Sequence, residues 1–160
     1  MTDPLLMNFA DQELAAAWHK DIYAYWQALR GDRIMPSRKM FDPLQVPAAL
    51  GKIMIIEVGE PPEKYKFRLI GTEITLLAGF DANGQRFMEL PDIERVTHRF
   101  DWLLENKRPY YVHDIFFWSE EDRKEERFAY NSLVLPFSEN NIDVNFIFNC
   151  LDIVKLPPVS

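Results

Sequence analysis

The sequence predicts an α+β domain: a five-stranded antiparallel sheet with helices on one face and an added N-terminal helix. Three observations carry that prediction. Two long segments place apolar residues at helical spacing, and five shorter ones show strand alternation or β-branched runs. Their order is helix, strand, strand, short helix, helix and three strands, so the helices fall between the second and third strands. The length of 160 residues suits one domain. Its boundaries read as a tail over 1–9, a domain over 10–153 whose first helix spans 10–29, and a tail over 154–160.

Leu14, Trp18, Ile22, Tyr25 and Leu29 fall in a stripe about 80° wide at about 100° per residue. His19, Lys20, Tyr23 and Gln27 take the other side; Asp11 or Asn8 is placed to cap the helix and Gly31 to end it. Residues 32–50 contain Pro36, Pro43 and Pro47 and read as a wrapping loop with one helical turn near Pro47–Leu50. Lys52–Val58 is apolar on both alternating faces, the pattern of a central strand. After the turn Gly59–Pro62, Tyr65–Ile70 alternates apolar with Lys66 and Arg68, the pattern of an edge or half-buried strand. A short helix over Thr72–Ala78 closes at Gly79, and Asp81–Gly84 is a turn. The second long helix runs from about Pro91 to Asn106, with Ile93, Val96, Phe100, Leu103 and Leu104 on one face. Strands at Tyr110–Trp118, Arg127–Pro136 and Asp143–Leu151 follow, joined by a charged tip over Ser119–Glu126 and a turn over Ser138–Asn141.

Composition excludes several functions. Eighteen Lys or Arg against 25 Asp or Glu leave a net charge of −7, which argues against a broad nucleic-acid footprint. No stretch approaches the roughly 20 apolar residues of a membrane span, and the start lacks the basic and apolar regions of a secretory signal. The single Cys150 makes no intrachain disulfide, and a cytoplasmic location is expected. With six glycines, the chain contains neither G-x-G-x-x-G nor a P-loop.

Several short motifs follow one another in a distinctive order. Leu29-Arg30-Gly31, Met35-Pro36-Ser37-Arg38, Phe41-Asp42-Pro43 and Val46-Pro47 come first. Phe67-Arg68-Leu69-Ile70-Gly71-Thr72, Gly79-Phe80-Asp81-Ala82-Asn83-Gly84 and Leu135-Pro136 follow. Together they resemble a family of short, mostly stand-alone bacterial PAS-like proteins, over about Ala10–Leu151. Asn83 departs from the family pattern, which has Thr there; both side chains bond nearby backbone, so the fold is unaffected. The resemblance implies a PAS-like sheet, a pocket for small molecules or partners between the sheet and the connecting helices, and dimerisation through flanking helices, and it carries no established activity over to this chain. The domain takes up nearly the whole chain, so a signal is expected to leave through a partner.

Haem-binding PAS relatives take their ligand from the helix that holds His98, but His98 points away from its apolar face. The Gly-x-Asn-Cys-Arg-Phe run of flavin photosensors is absent, and Cys150 reads as a buried, inert thiol. Neither haem nor flavin is expected. His19, His98 and His113 have no metal-ligand spacing. Glu57, Asp114 and Asp143 are the carboxylates that an alternative reading, a small α+β enzyme, would use; salt bridges or sheet-end positions explain them as well. Arg38 and Arg68 have possible partners in Asp42 and Glu73, as loop pins or as an anion contact. The aromatic strands supply the ligand-binding candidates Arg68, Tyr111, His113, Phe117, Phe146 and Phe148. Trp18, Ile22, Tyr25 and Leu29 are candidates for a homodimer interface. The resulting reading is a non-catalytic sensory or interaction module that binds a small molecule or a signalling partner. A ligand-free structural dimer is the third alternative.

Overall fold

The computed structural model describes residues 5–6, 9, 13–79, 86–90, 92–118 and 126–157. Strands β1 (Leu5–Leu6), β2 (Ile53–Val58), β3 (Tyr65–Ile70), β4 (Tyr110–Trp118), β5 (Glu126–Phe137) and β6 (Phe146–Lys155) form one antiparallel sheet. Its order is β1-β4-β5-β6-β2-β3. The helices are α1 (Ala17–Arg30), α2 (Thr72–Ala78) and α3 (Ile93–Asn106). All five predicted strands are present, and the segment read as a tail adds β1, pairing Leu5 with Val112 and Leu6 with Tyr111.

Local chemistry explains most boundaries. β2 lies between β6 and β3 and buries Ile53–Ile56 in succession, as its two apolar faces require. β3 is an edge strand, with Lys66 and Arg68 exposed. α2 ends at Gly79, which takes φ 81° and bonds its N–H to the Thr75 carbonyl. The last strand begins at Phe146 instead of Asp143, because the Asn140 side chain accepts from Ile142 N and Asp143 N and widens the turn. It runs on to Lys155, which pairs with Glu126 at 2.8 Å, so Glu126 opens β5 and is no part of a solvated tip. The predicted turn at Asp81–Gly84, the tip over 119–125, the helix start at Pro91 and the caps Asn8 and Asp11 lie outside the described residues.

The helices do not share one face of the sheet. Phe100 and Leu103 of α3 are fully buried on the face that presents Tyr110, Val112, Phe128, Val134 and Leu151. Each such side chain contributes about 1.5–3 kcal/mol by burial. The opposite face presents Tyr111, Leu133, Leu135, Phe137, Phe148 and Cys150, and α1 covers it with the loop that follows. Burial is continuous over Leu133–Phe137 and Ile147–Leu151, so both faces demand a cover.

α1 docks in a rotated register. Its buried residues are His19, Ile22 and Trp26. Trp18 Nε1 donates to the Leu151 carbonyl (3.2 Å), Trp26 Nε1 to the Pro136 carbonyl (3.0 Å), and His19 Nε2 bonds the Cys150 carbonyl (2.8 Å). Hydrophobicity alone misplaces His19 because its burial depends on that carbonyl partner. The four residues expected at a dimer interface differ in exposure. Ile22 is fully buried, Trp18 and Leu29 are half-buried, and the Tyr25 hydroxyl accepts from Asp42 N (2.9 Å).

His19 has a measurable consequence. Its Nδ1 is buried and has no partner among the described residues, and Nε2 as a donor already satisfies Cys150. Burial holds its pKa below the ordinary 6.5, against opposing contributions from the Cys150 carbonyl and Asp152. The unfolded chain therefore takes up the proton first as pH falls. Stability is level above about pH 6.5 and drops below it by up to about 1.4 kcal/mol per pH unit. Urea unfolding at pH 7.5 and 5.5 checks this: the difference should be smaller in His19→Gln than in the parent, and an equal difference refutes it.

Candidate functional site

Between the sheet and α3 lies a partly open cavity of about 80 Å³. Its floor is the α3-facing side of β4, β5 and β6, where Val112, Ser132 and Leu151 are cross-strand neighbours. Ile93, Val96 and Arg99 of α3 form the roof, and Phe87 and Leu90 close one side. Space remains because Ser132 is small beside its cross-strand neighbours Val112 and Leu151.

Arg95, Arg99, Asp114 and Tyr130 form a connected set at the site. Arg99 is 2% exposed and donates to Asp114 Oδ2 through Nη2 and to the Tyr130 hydroxyl through Nη1, the latter at 3.3 Å. Arg95 reaches the same Asp114 oxygen at 3.1 Å. Burial pushes the Tyr130 phenol above its ordinary pKa, overcoming the opposing effect of Arg99, so the phenol stays protonated. Asn149 Nδ2 points to the Met54 carbonyl at 3.4 Å. Ser132 Oγ is buried and has no hydrogen-bond partner among the described residues.

The PAS domain family matches residues 15–151, from the segment before α1 into β6. The chain belongs to that family. A PAS domain of this kind is a sensory or interaction module. No curated protein matches the chain. Among solved structures it is similar to the PAS-B domain of Drosophila melanogaster Cycle, in a tryptophan-to-alanine variant with bound glycerol. Identity is 14% and the TM-score 0.44, over 63% of this chain and 99% of that one. Among the described residues no helix is long and apolar enough to cross a membrane.

Within this PAS domain the predicted ligand residues lie elsewhere. Tyr111, His113, Phe146 and Phe148 belong to the opposite face of the sheet. Tyr111 packs edge-on to His19, its hydroxyl accepts from Ala15 N, and Phe148 packs on Phe41 and Phe137. His113 bonds Asn131 at 2.5 Å, and Phe146 carries the Arg38 guanidinium 5.0 Å from its ring centre. Arg68 is exposed on β3. Phe117 is on β4 opposite Arg127, but its side chain lies outside the described residues.

The expected ion pairs are exchanged as well. Glu73 pairs with Lys52 at 2.9 Å, not with Arg68, and Asp42 caps Leu44 N, not Arg38. Of the three carboxylates that an enzyme would use, Asp114 borders the cavity and is held by two guanidiniums. Glu57 is on the α1 side, and Asp143 is in the exposed turn, bonded to Asn140. His98 is exposed on α3, and Cys150 is fully buried with its thiol pushed up to about 12 by desolvation.

Arg99 was missed because a charged residue on a helix reads as solvated. The sequence did hold a signal: Arg99 sits about 40° from Leu103 on the helical wheel, on the shoulder of the apolar face. Asp114, an acid inside an aromatic strand, is its natural complement.

Proposed function

We propose that this PAS domain is a cytoplasmic, non-catalytic sensor whose signal is a small molecule held between the sheet and α3. The observation that carries the reading is the buried, unpartnered Ser132 hydroxyl in a mainly apolar cavity that Arg99, Tyr130 and Asn149 also line. Leaving such a group unbonded costs about 1–3 kcal/mol, and an occupant that bonds it recovers that cost. The absence of catalysis is supported by Asp114, whose charge is committed to Arg95 and Arg99 rather than available as a base. The lone buried thiol agrees with a reducing compartment.

A thermal-shift panel of small organic molecules tests this on the full chain and on Val112→Phe, which fills the cavity. Compounds that raise the melting temperature of the parent and leave the variant unmoved support the reading. Equal shifts in both proteins, or no stabilising compound at all, overturn it.

A further inference from the structure

The chemistry of the cavity narrows what it accepts. Three features set the class of occupant, and each is independent of the others.

The first is charge. The buried cation, Arg99, already faces Asp114 and the Tyr130 hydroxyl, and Arg95 adds a second guanidinium to the same carboxylate. An anion entering the cavity must compete with Asp114 for Arg99 while it approaches the Asp114 charge, so an acid is disfavoured. A cation would bury a second positive charge beside two guanidiniums. A neutral occupant disturbs nothing.

The second is hydrogen bonding. A serine hydroxyl donates once and accepts twice, and Ser132 Oγ does neither among the described residues. The Tyr130 hydroxyl accepts from Arg99, so its own proton remains to be donated. A hydroxyl or carbonyl on the occupant answers either group. Apart from Asn149, whose Nδ2 is turned to the Met54 carbonyl, the wall near Ser132, including Val112, Val134 and Leu151, calls for a hydrocarbon body.

The third is size. An apolar cavity of about 150 Å³ admits benzene, so about half that volume admits roughly three or four non-hydrogen atoms. We infer that the cavity takes an uncharged molecule of that size with one hydroxyl or carbonyl on an apolar body: a short-chain alcohol or ketone. This rests on the reading that the cavity is the sensing site. The ceiling of about 1.5 kcal/mol per atom then limits affinity to a Kd no tighter than about 4 × 10⁻⁵ M for four atoms and about 5 × 10⁻⁴ M for three. Such a sensor responds to abundant small solutes and not to trace signals.

The test is methyl NMR of the full chain, titrated separately with 1-propanol, propionate and xenon. The expected result is saturable shifts at the Val112, Val134 and Leu151 methyls with 1-propanol and with xenon, and at least tenfold weaker binding of propionate. Ser132→Ala removes an unbonded hydroxyl and should fold at least as well as the parent. It is expected to weaken 1-propanol threefold to tenfold, the equivalent of one hydrogen bond, and to leave xenon unchanged. Propionate binding as tightly as 1-propanol overturns the inference, as does a Ser132→Ala variant that keeps full affinity for 1-propanol. In either case xenon binding leaves the cavity itself standing as a site. If none of the three probes shifts those methyls, the sensing-site reading fails together with the ligand class.

Discussion

Asp114→Asn is expected to destabilise the domain by about 3–5 kcal/mol, and by more than Arg99→Met does. The asymmetry follows from where the charges sit. Arg99 is 2% exposed, whereas Asp114 is 12% exposed and is also bonded by the half-open Arg95. Removing the carboxylate takes from the interior guanidinium its charge-assisted bond to Asp114. Removing Arg99 leaves Asp114 its bond to Arg95 and its contact with water, so a loss of about 2 kcal/mol is expected. The double variant Asp114→Leu/Arg99→Met, with no charge left to bury, should recover much of the deficit. Urea unfolding with unchanged m-values reads all three, and an Arg99→Met loss larger than that of Asp114→Asn contradicts the account.

Gly71→Ala should cost about 3 kcal/mol, the upper part of the usual range for overpacking. A Cβ at position 71 would lie 2.3 Å from the Gly51 carbonyl oxygen, 2.5 Å from its carbon and 3.0 Å from the Ile53 oxygen. These are backbone atoms, so no rotamer change relieves the clash. Gly71 N also bonds the Ile53 carbonyl at 2.8 Å, and backing away sacrifices that bond. The site joins the end of β3 to α2, so the loss should appear in the folding equilibrium and not as a local defect. Gly59→Ala is the control: its nearest contact is an ordinary 3.6 Å, and a change within about 0.5 kcal/mol is expected. Similar unfolding midpoints for the two variants would falsify the steric argument.

Local signals carried much of the fold. Gly79 marks the end of α2, the two apolar faces of residues 53–56 mark a central strand, and Lys66 with Arg68 marks an edge. What could not be read was which face is which. Alternation divides β4 into Tyr111, His113 and Ile115 on one side and Tyr110, Val112, Asp114 and Phe116 on the other, and both sets mix aromatic with polar residues. The choice is made by distant segments, α1 on one side and α3 on the other, and no local period encodes it. The register of α1 escaped the sequence for a related reason: indole and imidazole donors found sheet carbonyls, which no hydrophobicity pattern anticipates. The cavity itself depends on Ser132, an ordinary residue in sequence that matters because of what does not bond it.

Leu151 belongs to both sides of the sheet at once. Its side chain lines the cavity, while its carbonyl holds the Trp18 indole of the helix on the far side. One backbone unit is thus a shared boundary for two surfaces that have no other need to agree. Thermodynamic reciprocity then applies: if an occupant of the cavity alters how firmly α1 is seated, the seating of α1 alters the occupant's affinity by the same factor. The sheet serves as a diaphragm one strand-layer thick, and the Trp18 indole is a spectroscopic probe already mounted on it.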